Sequence, residues 1–216
     1  MQKLVHGIHR FQNQIVQPNQ SFFERLASGQ TPMAMFITCS DSRINPNLLT
    51  QTEPGELFVL RNVGNIIPPS GTSNNGEAAA VEFAVEGLKI RDIIVCGHTH
   101  CGAMKGLLDL QSIKTLQHVR KWLRHAEATQ QIVEENYKHL SGQALLTVAT
   151  EENVLVQMKH LQTMPPVAAA MGRDELNIYG WMYKIETGEV FQYDREERQF
   201  LPLAAPAAKG PTVKPT

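Results

Sequence analysis

Two short apolar runs constrain this chain most, because each ends in residues that an ordinary strand does not need. Residues 33–38 lead into Cys39-Ser40-Asp41-Ser42-Arg43, and residues 93–96 lead into Gly97-His98-Thr99-His100-Cys101-Gly102. Runs of this length and apolarity read as buried strands. In open α/β sheets, chemistry collects at the carboxyl ends of strands. Together the two ends offer thiols, imidazoles, a carboxylate and a guanidinium. Soft thiolates with an imidazole favour zinc over magnesium or calcium.

The surrounding sequence predicts an α/β frame for that site. Leu4, Ile8, Phe11 and Ile15 follow helical spacing, and Pro18 interrupts the helix. Ser21 is the expected N-cap of a second helix, with Glu24 completing a capping box, and this helix should bury Phe22, Phe23 and Leu26. Two helices ahead of the first strand have no role in a strand–helix–strand unit. They are expected to pack on another subunit or to brace the sheet edge.

Beyond the first strand, a turn and short helix at 43–50 carry Pro46 early, and Glu53-Pro54-Gly55 reads as a turn. A strand at 57–60 precedes a long polar loop at 61–76. A helix at 77–88, with Val81, Val85 and Leu88 on one face, leads to the strand at 92–97 by a right-handed crossover. A short helix at 102–110 is followed by one long amphipathic helix at 114–140. Val154, Leu155, Met158 and Leu161 mark another helix. A last core strand at 178–185 turns at Thr187-Gly188 into an edge hairpin at 190–193. The fold class is therefore α/β: a mostly parallel sheet with an antiparallel edge hairpin, flanked by helices. One domain spans 1–200, its first 28 residues a helical arm, and 201–216 is expected to be a flexible tail.

Other readings fall away on chemistry. A formal net charge of −1 argues against nucleic acid or an anionic membrane as partner. No apolar run is long enough to span a bilayer, and residues 1–11 lack the apolar core of a signal peptide, so a cytoplasmic protein is expected. Three cysteines make no disulfide framework. Residues 71–76 resemble the front of a phosphate-binding loop, but Glu77 and Ala78 stand where that motif needs Lys and a hydroxyl. The stretch reads as a turn into a helix.

His98 and Cys101 have a common chelate spacing and need a third ligand from elsewhere, for which Cys39 stands at the other strand end. Cys96 lies one pleat deeper in an apolar run and is assigned to the core. His100 adjoins Cys101, where it would chelate the same ion poorly, and is given a supporting role. His6, His9, His118, His125, His139 and His160 fall on predicted helices and are read as surface residues. Three ligands leave a fourth position, as catalytic zinc requires. Asp41 could close the ring. Alternatively, Arg43 holds it in a bidentate pair, and Asp41 orients a zinc-bound water or hydroxide.

At these residues the sequence resembles the β-class carbonic anhydrases. The matching stretches are Cys39 to Arg43, Glu53 to Val59, Arg61-Asn62-Val63-Gly64-Asn65, Glu77 to Val85, and Val95 to Gly102. The resemblance implies one zinc per chain on Cys39, His98 and Cys101, an Asp41–Arg43 catalytic dyad, and an obligate dimer with its site at the subunit interface. It carries over a substrate pocket in which Gln30 hydrogen-bonds CO2 or bicarbonate. Phe58, Val63 and Phe83 form its apolar wall, and the Gly102 N–H faces the substrate oxygen. The implied reaction is reversible hydration of CO2 by zinc-bound hydroxide. Hydrolysis of COS or CS2, or an inactive zinc-bound scaffold, are the alternatives. Residues 114–140 with Trp122, and Gly180 to Tyr183, look most like the bacterial and carboxysomal branch. Carboxysomal members commonly carry a long C-terminal extension, whereas this sequence ends in a short tail; shell proteins are accordingly a conditional partner. Where one branch places a Trp beside an inhibitory bicarbonate pocket, this chain has Phe36, although Arg61 and Tyr183 are present. Asp41 is therefore expected to stay with Arg43 and off the metal.

Overall fold

The computed structural model describes residues 1–72 and 76–204. Six strands form one sheet in the order β2-β1-β3-β4-β5-β6: Leu57–Asn62, Ala34–Cys39, Asp92–His98, Asn177–Tyr183, Val190–Asp194 and Gln199–Pro202. The first four are parallel and the last two pair antiparallel. Every residue of β1 is buried, as expected of a parallel strand covered on both faces. Met35, Ile37, Ile93 and Val95 face one core, while Phe36, Ile94 and Cys96 face another beside Trp181. Thr38 stands opposite Cys96 in the β1–β3 register, so the two cysteine-bearing strand ends are neighbours. Because β1 lies between β2 and β3, the connection through α4 (Gly76–Glu82) passes over β1.

The 21-residue helix α8 (Gly142–Gln162) lies tight on β3 and β4. A Cβ at Gly97 would meet Val154 Cγ2 at 2.8 Å and Thr150 Cγ2 at 2.9 Å. One at Gly180 would meet Met158 Sδ at 2.6 Å. Two missing side chains therefore set the seat of this helix. No described helix is long and apolar enough to cross a membrane.

Several expectations are corrected. β1 begins at Ala34, leaving Met33 58% exposed outside it. The capping box at Ser21 and Glu24 does not form. The arm runs from α1 (Gln2–Arg10) through a π turn and a 3₁₀ turn containing Pro18 into α2 (Gln20–Ala27). With helical backbone arriving from upstream, the start of α2 uses no side-chain cap, and Glu24 instead accepts from Gln20 at 2.9 Å. Phe22, Phe23 and Leu26 are only half-buried in the single chain.

The predicted long helix is two, α6 (Gln117–Leu123) and α7 (Glu127–Asn136), joined by a 3₁₀ turn at Arg124–Ala126. Leu123, Ala126 and Thr129 are all buried, and a spacing of three suits the tighter 3₁₀ winding. Helices α3 (Pro46–Thr50) and α5 (Gly102–Leu108) stand where expected, and α9 (Pro165–Gly172) was not anticipated. The loop after β2 starts at Val63, since Arg61 and Asn62 extend the strand. Leu201 and Pro202 belong to β6 rather than to a tail, and 205–216 lie outside the described residues, as do 73–75 of the loop.

Candidate metal centre

Three ligand atoms converge at the carboxyl end of the sheet. Cys39 closes β1 and His98 closes β3, and the chain then reverses at His100, whose φ of +56° is left-handed. The reversal brings Cys101 to the N-cap of α5. The donor atoms of Cys39, His98 and Cys101 lie within 4.8 Å of one another, and all three residues are buried.

The donor set fits zinc. His98 Nδ1 lies 2.8 Å from the Thr99 carbonyl, which can only accept, so Nδ1 carries the proton and Nε2 presents its lone pair. That Nε2 is buried and has no hydrogen-bond partner. Leaving such an atom unpaired costs about 1–3 kcal/mol, which a bound cation would remove. The two thiols interact. Hydrogen bonding from Cys101, with help from the Gly64 N–H, outweighs burial and pushes Cys39 down to about 4. The same contact and burial push Cys101 up. Cys96 stands apart: burial raises it to about 12, its thiol donates to the Gly97 carbonyl at 3.4 Å, and it packs with Phe36 and Ile94.

Beside the cluster, Arg43 grips Asp41 with two parallel bonds, Nε to Oδ1 at 2.9 Å and Nη2 to Oδ2 at 2.8 Å. The Arg43 N–H adds a third, to Oδ1 at 3.0 Å. These bonds hold the Asp41 carboxyl well below the usual carboxylate range. Arg43 Nη2 also donates to the His100 carbonyl at 3.2 Å, so the reversal that delivers Cys101 steadies the pair. From the other side, Arg61 donates to the carbonyls of Cys39 at 3.1 Å and Asp41 at 2.6 Å. Sequence reading missed this role of Arg61. It follows from the β1–β2 pairing, in which Thr38 faces Arg61.

The other expected pocket residues divide. Gly102 opens α5 directly after Cys101, and Val63 adjoins Gly64, whose N–H lies 3.4 Å from Cys39 Sγ. Gln30, Phe58 and Phe83 do not reach the cluster within one chain. Gln30 precedes β1, whose length at about 3.3 Å per residue separates it from Cys39. Phe58 pairs with Met35 near the amino end of the sheet, and its ring lies 6.0 Å from that of Phe83, which is 51% exposed. Two histidines read as surface residues are half-buried. His160 Nδ1 lies 2.7 Å from the Ile67 carbonyl, and His125 packs edge-on against Trp122. His139 is exposed but lies in the turn after α7.

Comparison with known proteins adds an independent view. A family model described as carbonic anhydrase matches residues 34–190. A carbonic anhydrase of Synechocystis is 52% identical over 90% of this chain and 71% of its own length. One from Pseudomonas aeruginosa is 43% identical over 94% of this chain and 92% of its own. The solved structure of the β-carbonic anhydrase CcaA superposes with a TM-score of 0.92 at 50% identity, covering 94% of this chain and 99% of that one. A structure from Sordaria macrospora, described as a tetrameric β-carbonic anhydrase, gives 0.79 at 26% identity over 88% of this chain and 95% of that one.

Proposed function

The chain belongs to the β-class carbonic anhydrases, and on that premise we propose how its own residues serve the reaction. It catalyses the reversible hydration of CO2 to bicarbonate and a proton, and Cys39, His98 and Cys101 hold its zinc. When bound, zinc supplies a Lewis acid that makes hydroxide available near neutral pH.

Asp41 is ionised and can only accept, so it takes a hydrogen bond from the O–H of the attacking nucleophile and aims its free lone pair at carbon. Arg43 fixes the carboxylate for that task and keeps it from the metal. The Gly102 N–H, at the start of α5, donates to the substrate oxygen that gains charge. Gln30, Phe58 and Phe83 act from a second copy of the chain, with Val63 completing the apolar wall. A homodimer or higher homo-oligomer is thus the working unit, in line with the tetrameric relative. The same reading has it act in the cytoplasm on CO2 and bicarbonate, with carboxysome shell proteins as partners if it is encapsulated.

The observation that carries this reading is the three-ligand cluster with its unpaired His98 Nε2, flanked by a clamped carboxylate. Stopped-flow CO2 hydration tests it. Zinc-loaded protein should be active, and Asp41→Asn should lose activity while keeping zinc. Full activity in Asp41→Asn would remove Asp41 from the mechanism.

A further inference from the structure

Residues 63–67 form neither helix nor strand, yet four of the five are buried. Buried backbone of this kind must find its hydrogen-bond partners among side chains. Trp122 Nε1 donates to the Val63 carbonyl at 2.7 Å, and Asn153 Nδ2 to the Gly64 carbonyl at 3.0 Å. Gln157 Oε1 accepts the Ile67 N–H at 2.8 Å. Held in this way, the segment points the Gly64 N–H at Cys39 Sγ. Gly64 has a φ of +86°, and a Cβ there would meet Ala103 Cβ at 3.0 Å, so only glycine allows this approach.

The direction of each amide follows from the backbone. An N–H can only donate, so Ile67 draws the Gln157 oxygen toward itself. Gln157 Nε2 then donates to Asn153 Oδ1 at 2.9 Å. With its oxygen taken, Asn153 turns its NH2 to the Gly64 carbonyl. Both side chains are fully buried on α8, one turn apart, and neither amide can turn over without breaking two bonds.

We propose that Asn153 and Gln157 are positioning residues for the zinc ligand Cys39: Trp122 holds the Val63 carbonyl of the peptide that carries the Gly64 N–H, Asn153 and Gln157 hold the next peptide by its Gly64 carbonyl, and the two fixed planes keep that N–H on the thiolate. This rests on Cys39 as a zinc ligand. A donor to metal-bound sulfur withdraws charge from it. Fixing that N–H therefore tunes how strongly Cys39 binds and how much positive charge the metal keeps for catalysis.

Cobalt-substituted protein tests this, because the energy of its thiolate-to-metal charge-transfer band follows the charge on sulfur. Asn153→Asp sets a carboxylate oxygen against the Gly64 carbonyl, and Gln157→Glu removes the donor that orients Asn153. Both should move the band to longer wavelength and, because Cys39 is no longer held in place for the metal, lower zinc affinity, by equilibrium chelator competition, about tenfold. Thr150→Val is the control. Thr150 is buried on the same helix, but its hydroxyl bonds the Leu146 carbonyl of its own helix at 2.8 Å, so its loss should leave the band in place. If Asn153→Asp does not fold, Trp122→Phe removes one donor from the same segment through a partly exposed side chain. It should shift the band in the same direction and weaken zinc about threefold. Folded variants whose band and zinc affinity match Thr150→Val would overturn the proposal. Wild-type cobalt protein with no such band would overturn the assignment of Cys39 and Cys101 as ligands, a separate failure.

Discussion

The carboxyl end of the sheet and the N-terminal arm differ in what one chain can finish by itself. At the metal centre, ligands, clamp and supporting loop all come from one chain, and the orphaned His98 Nε2 finds its partner in zinc. Along the arm, Leu4 is 63% exposed, Ile8 56% and Ile15 49%, an apolar stripe that nothing among the described residues covers. The first region is organised by directional bonds, each demanding a particular atom. The second is organised by area alone, which any matching surface can satisfy. Metal chemistry is therefore built into the chain, while a second copy is what we propose for the arm and for Gln30.

The sharpest way to break this contrast is at the ligands. Cys39→Ser or Cys101→Ser should take zinc from about one per chain to near none, with CO2 hydration falling to background. Cys96→Ser should keep its zinc and lose only about 1–3 kcal/mol of stability. Metal analysis showing the opposite pattern would reassign the site.

The next test strikes the arm. Leu4→Asp with Ile8→Asp should weaken self-association at least about a hundredfold, from the apolar burial of two side chains. The zinc content should not change. Light scattering that found wild-type protein to be an active monomer would remove the reason for the exposed stripe.

A smaller effect sharpens the built-in end. Gly180→Ala forces a Cβ onto Met158 and Val154 and should cost about 1–3 kcal/mol in urea denaturation.

The smallest effect is a pH slope. Burial lowers the pKa of His160, against the hydrogen bond with the Ile67 carbonyl and with a smaller push in the same direction from the charge of His125. The unfolded chain then binds more protons than the folded one between the folded value and about 6.5. The contribution of His160 is complete above about pH 6.5 and is lost as pH falls through the folded value. Thermal unfolding of zinc-loaded His160→Gln between pH 5.5 and 8 should show a flatter profile than wild type. Parallel profiles would show that His160 does not titrate on unfolding.

Cys39, His98 and Cys101 were legible in the sequence because ligands at strand ends leave a local signature: an apolar run, then thiol and imidazole. The parallel sheet was legible from the same apolar runs. Asn153 and Gln157 left a fainter sign, polar residues at i and i+4 among the largely apolar buried positions of α8. Their partners are backbone atoms some 90 positions away, which only tertiary packing reveals. Ser21 misled because its capping signal ignores the helical turn arriving from Pro18. Leu201 and Pro202 misled because an edge strand of four residues carries too little alternation to stand out beside a Pro- and Ala-rich stretch.

The close seat of α8 also limits how this sequence can drift. At Gly97 and Gly180 no side-chain volume is free, so a larger residue on the strand can be accepted only after the helix gives way. Met158 and Val154 must shrink first or at the same time, which makes the substitutions permissive in one order and harmful in the other. Met158→Val should then rescue much of what Gly180→Ala loses, although alone it opens a void. Strand and helix here form one unit of inheritance, in which neither face can be revised without the other.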